Sequence, residues 1–473
     1  MSNKFQYDII VIGLGPAGMA VSAMAPSMGM TVLAIEDHKV GGECLNYGCT
    51  PSKALLKSAE VNYTANNTEK YGIKLEGKTT VVNPLEVVQE KIEEINGTKT
   101  MKMFDKNMVT FILNEGKAKF IDNHTVEVGN KQYTGNSIFI ATGAKPFVPP
   151  IPGINDVEIL TNLNMFEQDD IPSSLTIIGG GAIGTEMAQA FSRLGSKVTI
   201  VQMDPHLIPI GDEEAGRLLE KKFIEEGISV FNSTNIEKIE KDGEIIVVKT
   251  NKGDFKSEKL LVAAGRKVST ESLALENIGV ETTRKGIIVD EFMRTNIENV
   301  YAIGDCNGIA QLSHAAMHQG MLALMNSISP QPINRLKRIN YVVPWSVFTK
   351  PEIAQVGLTE KQAKEQGINY TLSRTEYSDY GRTLTDGETD GFVKVISNES
   401  GVVLGATIAG NVASELIQEW TIAVQNQLTL FNIAMTQHSF PTLSIMNKRV
   451  AENWMMEMAK SGAMADMMKN LME

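Results

Sequence analysis

Residues 7–36 read YDIIVIGLGPAGMAVSAMAPSMGMTVLAIE, and the order of their signals decides the fold. An apolar strand from Ile9 to Ile12 runs into a glycine turn, Pro16 opens a helix reaching about Met28, and a second apolar strand ends on Glu36. Gly13, Gly15 and Gly18 fall at G-x-G-x-x-G spacing between strand and helix. The first makes the tight turn, the second leaves the backbone bare for a pyrophosphate, and the third lets helix and strand pack closely. Glu36 offers its carboxylate to a ribose diol. With strand, turn, helix and acid all in place, the stretch predicts a dinucleotide-binding βαβ unit.

The same grammar returns at 174–202, SLTIIGGGAIGTEMAQAFSRLGSKVTIVQ. Here a strand spans Leu175 to Ile178, Gly179, Gly181 and Gly184 follow, a helix reaches about Leu194 with Gly195 as its cap, and a strand runs from Val198 to Val201. This second strand ends on Gln202 rather than an acid. An acid would favour NADH and nearby basic residues the 2′-phosphate of NADPH. In QMDPHLIP, Asp204 is the candidate for a ribose and His206 for a phosphate, and the balance leans slightly to NADH. Two such units in one chain imply electrons passing between two cofactors, most simply a reduced nicotinamide and a flavin.

Bulk properties narrow the partners. The 473 residues suffice for roughly three domains, and a net charge of −12 without a basic cluster argues against nucleic acid or an anionic membrane surface. Small molecules or a second copy of the chain remain. No charged residue occurs between Asp8 and Glu36, yet Gly13, Gly15, Pro16 and Gly18 break that run, so neither a membrane span nor a signal peptide is expected. Only Cys44, Cys49 and Cys306 are present, which fits a reducing, cytoplasmic setting.

Two of those cysteines lie in GGECLNYGCTPSKALL, residues 41–56. A zinc site is a poor reading, because the spacing is unusual and no second Cys or His pair follows. Redox chemistry fits better: Thr50 can cap a helix and Pro51 open it, leaving Cys49 at the positive helix end, with Lys53 one turn on. Both favour a thiolate.

Elsewhere, about Glu60 to Lys106 reads as a polar, helical excursion and HTVEVGNKQYTGNSIFIATG as strands. KPFVPPIPG at 145–153 and PQPINRL at 330–336 read as boundaries, and ENWMMEMAKSGAMADMMKNLME at 452–473 as a Met-rich amphipathic helix or tail.

The whole constellation resembles the class I pyridine nucleotide-disulfide oxidoreductases, the flavoprotein family of dihydrolipoamide dehydrogenase, glutathione reductase and mercuric reductase. The resemblance covers nearly the full chain and implies an α/β fold: two Rossmann-like dinucleotide-binding domains plus a C-terminal α+β dimerisation domain. By it, residues 1–150 and 273–340 form the FAD-binding domain, 151–272 the NAD(P)-binding domain and 341–473 the interface domain of a homodimer. It makes Cys44 and Cys49 a redox disulfide, Cys44 meeting substrate and Cys49 the flavin, with Gly42 in the same motif. Lys53 would lie near flavin N5, paired with Glu186. Ala141, Thr142 and Gly143 in IFIATG, and Gly304 and Asp305 in VYAIGDC, resemble further FAD segments, and LLVAAGR, with Gly265, resembles the close of the nicotinamide domain. His314 would position the isoalloxazine, Cys306 fill a structural slot, and FTKPEIAQVGLTEKQAKEQG, from Phe348, open the interface domain.

One departure changes the expected substrate. Dihydrolipoamide and glutathione reductases carry His-Pro-Thr, with a Glu four residues beyond the Pro, to protonate a leaving thiolate. QHSFPTLSIMNKRVAEN puts Phe440 and Ile445 in those places. Losing a positioned acid costs about two to four powers of ten where a high-pKa thiolate must leave. His438 is a candidate displaced acid, with a structural role favoured. The aromatic residue before Pro441 is closest to the mercuric-reductase-like branch, but no cysteine follows Cys306 to carry Hg(II). The expected acceptor is therefore one needing no strong proton donor: a sulfenyl-type oxidant such as hypothiocyanous acid, a reactive sulfur species or a quinone. The alternatives are a dihydrolipoamide dehydrogenase, a mercuric reductase, or a nonenzymatic flavin redox sensor.

Overall fold

The computed structural model describes residues 5–96, 100–329, 333, 336–338 and 341–460. Its first sheet grows from β1 (Tyr7–Ile12), which α1 (Pro16–Met24) connects to β2 (Val32–Glu36). Two helices come next, α2 (Gly42–Tyr47) and α3 (Cys49–Asn66), and then β3 (Val109–Leu113) and β4 (Lys131–Ile140). β1 lies parallel between β2 and β4, with Ile10 opposite Leu33 and Ile138. Strands covered on both faces need apolar side chains on both, so β1 reads as a continuous apolar run. Ile10 and Val11 are fully buried.

A second parallel sheet is built alike, from β5 (Ser174–Ile178), α4 (Ala182–Arg193), β6 (Lys197–Val201), β7 (Ser229–Phe231) and β8 (Lys259–Val262), in the order β7-β6-β5-β8 and then Ile159–Leu160. The chain then returns to the first sheet as β9 (Val300–Ala302), parallel to β4, and continues into α5 (Ser313–Ser327). The third unit is an antiparallel sheet of β10 (Trp345–Val347), β11 (Glu352–Gly357), β12 (Thr371–Glu376), β13 (Phe392–Ser397) and β14 (Val403–Gly410), in the order β10-β11-β14-β13-β12. Against it pack α6 (Ala413–Gln425) and α7 (Ile445–Lys460), which bury Trp420 and Trp454.

Two local expectations shift. The excursion after Glu60 is helical only to Asn66 and again over Pro84–Ile95, because Gly72, Gly77 and the β-branched run Thr79 to Val82 interrupt it. α3 starts at Cys49 with Gly48 before it, so Thr50 does not cap the helix and Pro51 sits inside its first turn. Cys49 itself therefore belongs to the positive helix end. Of the Met-rich stretch, residues 452–460 continue α7, and 461–473 lie outside the described residues, as does most of PQPINRL. Among the described residues no helix is long and apolar enough to cross a membrane.

Paired polar groups lock the second and third units together. Gln189 of α4 exchanges two hydrogen bonds with the Lys350 backbone, at 2.7 and 2.8 Å, and Lys394 of β13 meets Asp212 at 2.7 Å with both side chains buried. This docking sets the Phe348 segment against α4.

Candidate active site

Both glycine loops open into one cleft of about 2310 Å³, and the two loops, the cysteine pair and the residues after β9 line it together. That is several times an ordinary ligand pocket. In the first loop a Cβ on Gly18 would lie 1.9 Å from the Gly13 carbonyl oxygen, whereas around Gly15 nothing stands within 4 Å of such an atom. The third glycine thus serves helix packing and the second leaves room for phosphate. Gly184 and Gly181 repeat the arrangement, at 2.0 Å from Gly179 O and in open space. Gly18 and Gly184 themselves do not reach the cleft, while Gly13, Gly15, Gly42, Gly179, Gly181 and Gly265 do.

Glu36 accepts hydrogen bonds from Leu14 N (2.7 Å) and His38 N (2.9 Å), which clamps the loop end, and burial raises its pKa. Each of its oxygens retains a lone pair. Gln202 does a related job in the second unit: its Oε1 accepts from Gly180 N at 2.9 Å and its Nε2 donates to Asp204 at 3.1 Å. Asp204 lines the cleft, but His206 does not. The His206 ring is buried, with Nδ1 2.9 Å from Leu207 O, so the expectation that it meets a phosphate fails.

Ala141, Thr142, Gly143 and Asp305 also line the cleft. Burial raises the Asp305 pKa against the pull of Arg266, which lies 3.4 Å away and bonds Glu43 at 2.7 Å. Glu43 and Arg266 join this network without having stood out as site residues, because their meeting depends on the return of the chain from the second sheet. Bare glycine backbone at a helix start and a carboxylate or amide at the strand end fit a dinucleotide in each half. His314 donates from Nε2 to Pro344 O at 2.7 Å, which fixes its ring at the cleft wall.

At the centre, Cys49 opens onto the cleft from the first turn of α3. The Cys44 thiol donates to it, and this bond, with help from Ser313 and the Lys53 charge, brings the Cys49 pKa down to about 6. Cys44 is pushed far up by the same bond and by burial. At neutral pH the pair therefore holds one proton, on Cys44. Lys53 Nζ lies 3.0 and 2.8 Å from the two oxygens of the buried Glu186 carboxylate and 4.3 Å from the Phe348 ring centroid. Glu186 also accepts from Phe348 N at 3.0 Å. Phe348, Glu186 and α4 thus hold the ammonium where its charge favours the Cys49 thiolate.

His438 is not brought to this cleft. Its Nε2 meets Glu419 at 2.9 Å and its Nδ1 lies 3.1 Å from Thr436 O, with the side chain only 6% exposed. Phe440 is 77% exposed. Cys306 is buried, its thiol pushed up to about 12 by desolvation, as a structural cysteine requires.

A sequence profile described as pyridine nucleotide-disulphide oxidoreductase matches residues 7–320, and the dimerisation domain of the same name matches 343–450. The chain is 36% identical to a dihydrolipoyl dehydrogenase of Thermus scotoductus, covering 93% of this chain and 95% of that one. With a mercuric reductase of Bacillus cereus it shares 34% identity over 93% of this chain and 70% of the other. The HOCl-induced flavoprotein disulfide reductase RclA from Escherichia coli superposes with a TM-score of 0.84 at 26% identity, over 94% of this chain and 99% of RclA. This chain belongs to the pyridine nucleotide-disulphide oxidoreductase family, as a class I flavin disulfide oxidoreductase of the kind that uses FAD and NAD(P)H.

Proposed function

We propose that the protein is a cytoplasmic, homodimeric NADH oxidoreductase that passes electrons through Cys44 and Cys49 to an electrophilic acceptor with at least one weakly basic leaving group. Residues 1–150 and 273–340 would hold FAD, 151–272 the nicotinamide cofactor, and 341–473 the dimer contact. The chemistry FAD would supply there is acceptance of hydride from the nicotinamide and delivery of an electron pair to sulfur.

The observation that carries this reading is the arrangement at the sulfurs, where the Cys44 thiol donates to Cys49 and Ser313 Oγ lies 3.3 Å from Cys49 Sγ, which leaves the proton of the reduced pair on Cys44. An acceptor E–L meets Cys44: the S–E bond forms, the E–L bond breaks, and L leaves with the Cys44 proton as HL. The Cys49 thiolate then attacks Cys44 Sγ, closing the disulfide and expelling E⁻. Two electrons have moved, and one leaving group departs unprotonated. For hypothiocyanous acid, HL is water and E⁻ is thiocyanate, a weak base. For oxidised lipoamide or glutathione disulfide, E⁻ is an alkyl thiolate with no imidazole to protonate it, since Phe440 stands in that place. The similarity to a reductase named as HOCl-induced supports an oxidant of this electrophilic class. NADH is favoured because Asp204 lines the cleft beside Gln202 and no Lys or Arg occurs between 202 and 216 to meet a 2′-phosphate.

The test is an anaerobic stopped-flow screen of the reduced holoenzyme against hypothiocyanous acid, oxidised lipoamide, glutathione disulfide, Hg(II) and a quinone, with NADH and NADPH as donors. Hypothiocyanous acid is expected to outpace both disulfides by about two powers of ten or more. Lipoamide turnover at an equal or higher rate would overturn the reading in favour of a dihydrolipoamide dehydrogenase.

A further inference from the structure

Ser313 is the first residue of α5, a 15-residue helix that begins just beyond the segment following β9. Its Oγ lies 3.3 Å from Cys49 Sγ, across 264 positions of chain, and both residues line the cleft. We propose that Ser313 is a catalytic hydrogen-bond donor to the redox sulfurs, supplying at the thiolate the charge stabilisation that Phe440 cannot supply at the leaving group. The inference rests on the dithiol reading above.

A serine hydroxyl stays protonated throughout, so Ser313 transfers no proton. It donates to Cys49 while that sulfur is anionic, and it favours ionisation of Cys44 as well. In the reduced pair this keeps the proton count at one. When Cys49 attacks the Cys44 adduct, the Cys49–Cys44 bond forms, the Cys44–E bond breaks, E⁻ leaves with its electron pair, and the Ser313 bond to Cys49 weakens as the charge disappears. Reduction of the disulfide restores both the charge and the bond. The other ionisable groups facing Cys49 are Cys44 on α2, Lys53 on α3 and Glu186 on α4, and His314 follows Ser313 with its Nε2 taken by Pro344 O. Among these, Lys53 acts through charge and is itself held by Glu186, and the Cys44 thiol gives up its proton when the acceptor bonds to it, so Ser313 is the neutral donor that remains at Cys49 in the adduct.

The experiment follows the pH dependence of Cys49 ionisation in reduced holoenzyme by thiolate ultraviolet absorbance and by the long-wavelength absorbance of a thiolate against the flavin, for wild type, S313A and S313T. Neither measurement contains an acceptor, so failure here is separate from failure of the acceptor screen. In S313A the midpoint is expected to rise by about one pH unit, with both thiolate signals reduced about tenfold below it and recovered above it. S313T, which keeps the hydroxyl, is expected to hold the midpoint near that of wild type. An unchanged midpoint in S313A, or an equal rise in S313T, would overturn the proposal.

Discussion

At the thiol end of the site, Cys49 is surrounded by a donor thiol, a hydroxyl, an ammonium and a helix start. At the Phe440 loop, the imidazole that could have carried a proton, His438, is folded back on Glu419 and an apolar ring faces outward. The contrast is between stabilising an anion and supplying an acid. Stabilising the Cys49 thiolate keeps the sulfur that closes the disulfide ionised whichever acceptor has bonded to Cys44, whereas a missing acid penalises only acceptors whose leaving group is a strong base. On the proposed function, one end serves every acceptor alike and the other discriminates among them.

The largest break in this comparison is Cys44→Ser. Turnover of the best acceptor should fall by about three powers of ten or more, while reduction of FAD by NADH in a single-turnover experiment persists. Unchanged turnover would mean that the flavin reacts with the acceptor directly. Next, installing the absent acid sharpens the selection: Phe440→His with Ile445→Glu should raise lipoamide reduction by about one to two powers of ten and leave hypothiocyanous acid reduction within a few-fold. A parallel gain for both acceptors would show that the loop does not discriminate. The smallest effect is expected at His438→Gln, which keeps a donor for Glu419. A loss of about 1 kcal/mol in urea unfolding, with little change in kcat, marks a structural residue, and a collapse of kcat with stability intact would make His438 the displaced acid.

Much of this molecule is legible along the chain, for a local reason. The strand–glycine–helix–strand units of 7–36 and 174–202 are written in periodicity and in glycines whose absent Cβ atoms avoid backbone 1.9–2.0 Å away, contacts made within a few residues. The Cys49 helix start was legible to within two residues, since Pro51 and Lys53 lie on its first turns. Ser313 was not legible, although a serine opening SHAAM is a visible signal, because nothing in that stretch says which sulfur it will face. His206 misled for the complementary reason. A ring in a loop after a strand end reads as available, and only the packing of 204–216 turns it onto Leu207 O.

The sequence by itself determined the dinucleotide units, the cysteine pair and the apolar residues Phe440 and Ile445 flanking PTLS, because each is a matter of residue type at fixed local spacing. Tertiary structure decided which groups meet the sulfurs. Lys53 and Glu186 are joined across 133 positions and Cys49 and Ser313 across 264, and hydrogen bonding and charge act over a few ångströms of space rather than along the chain, so only the docking of the sheets and the third unit could bring these groups together.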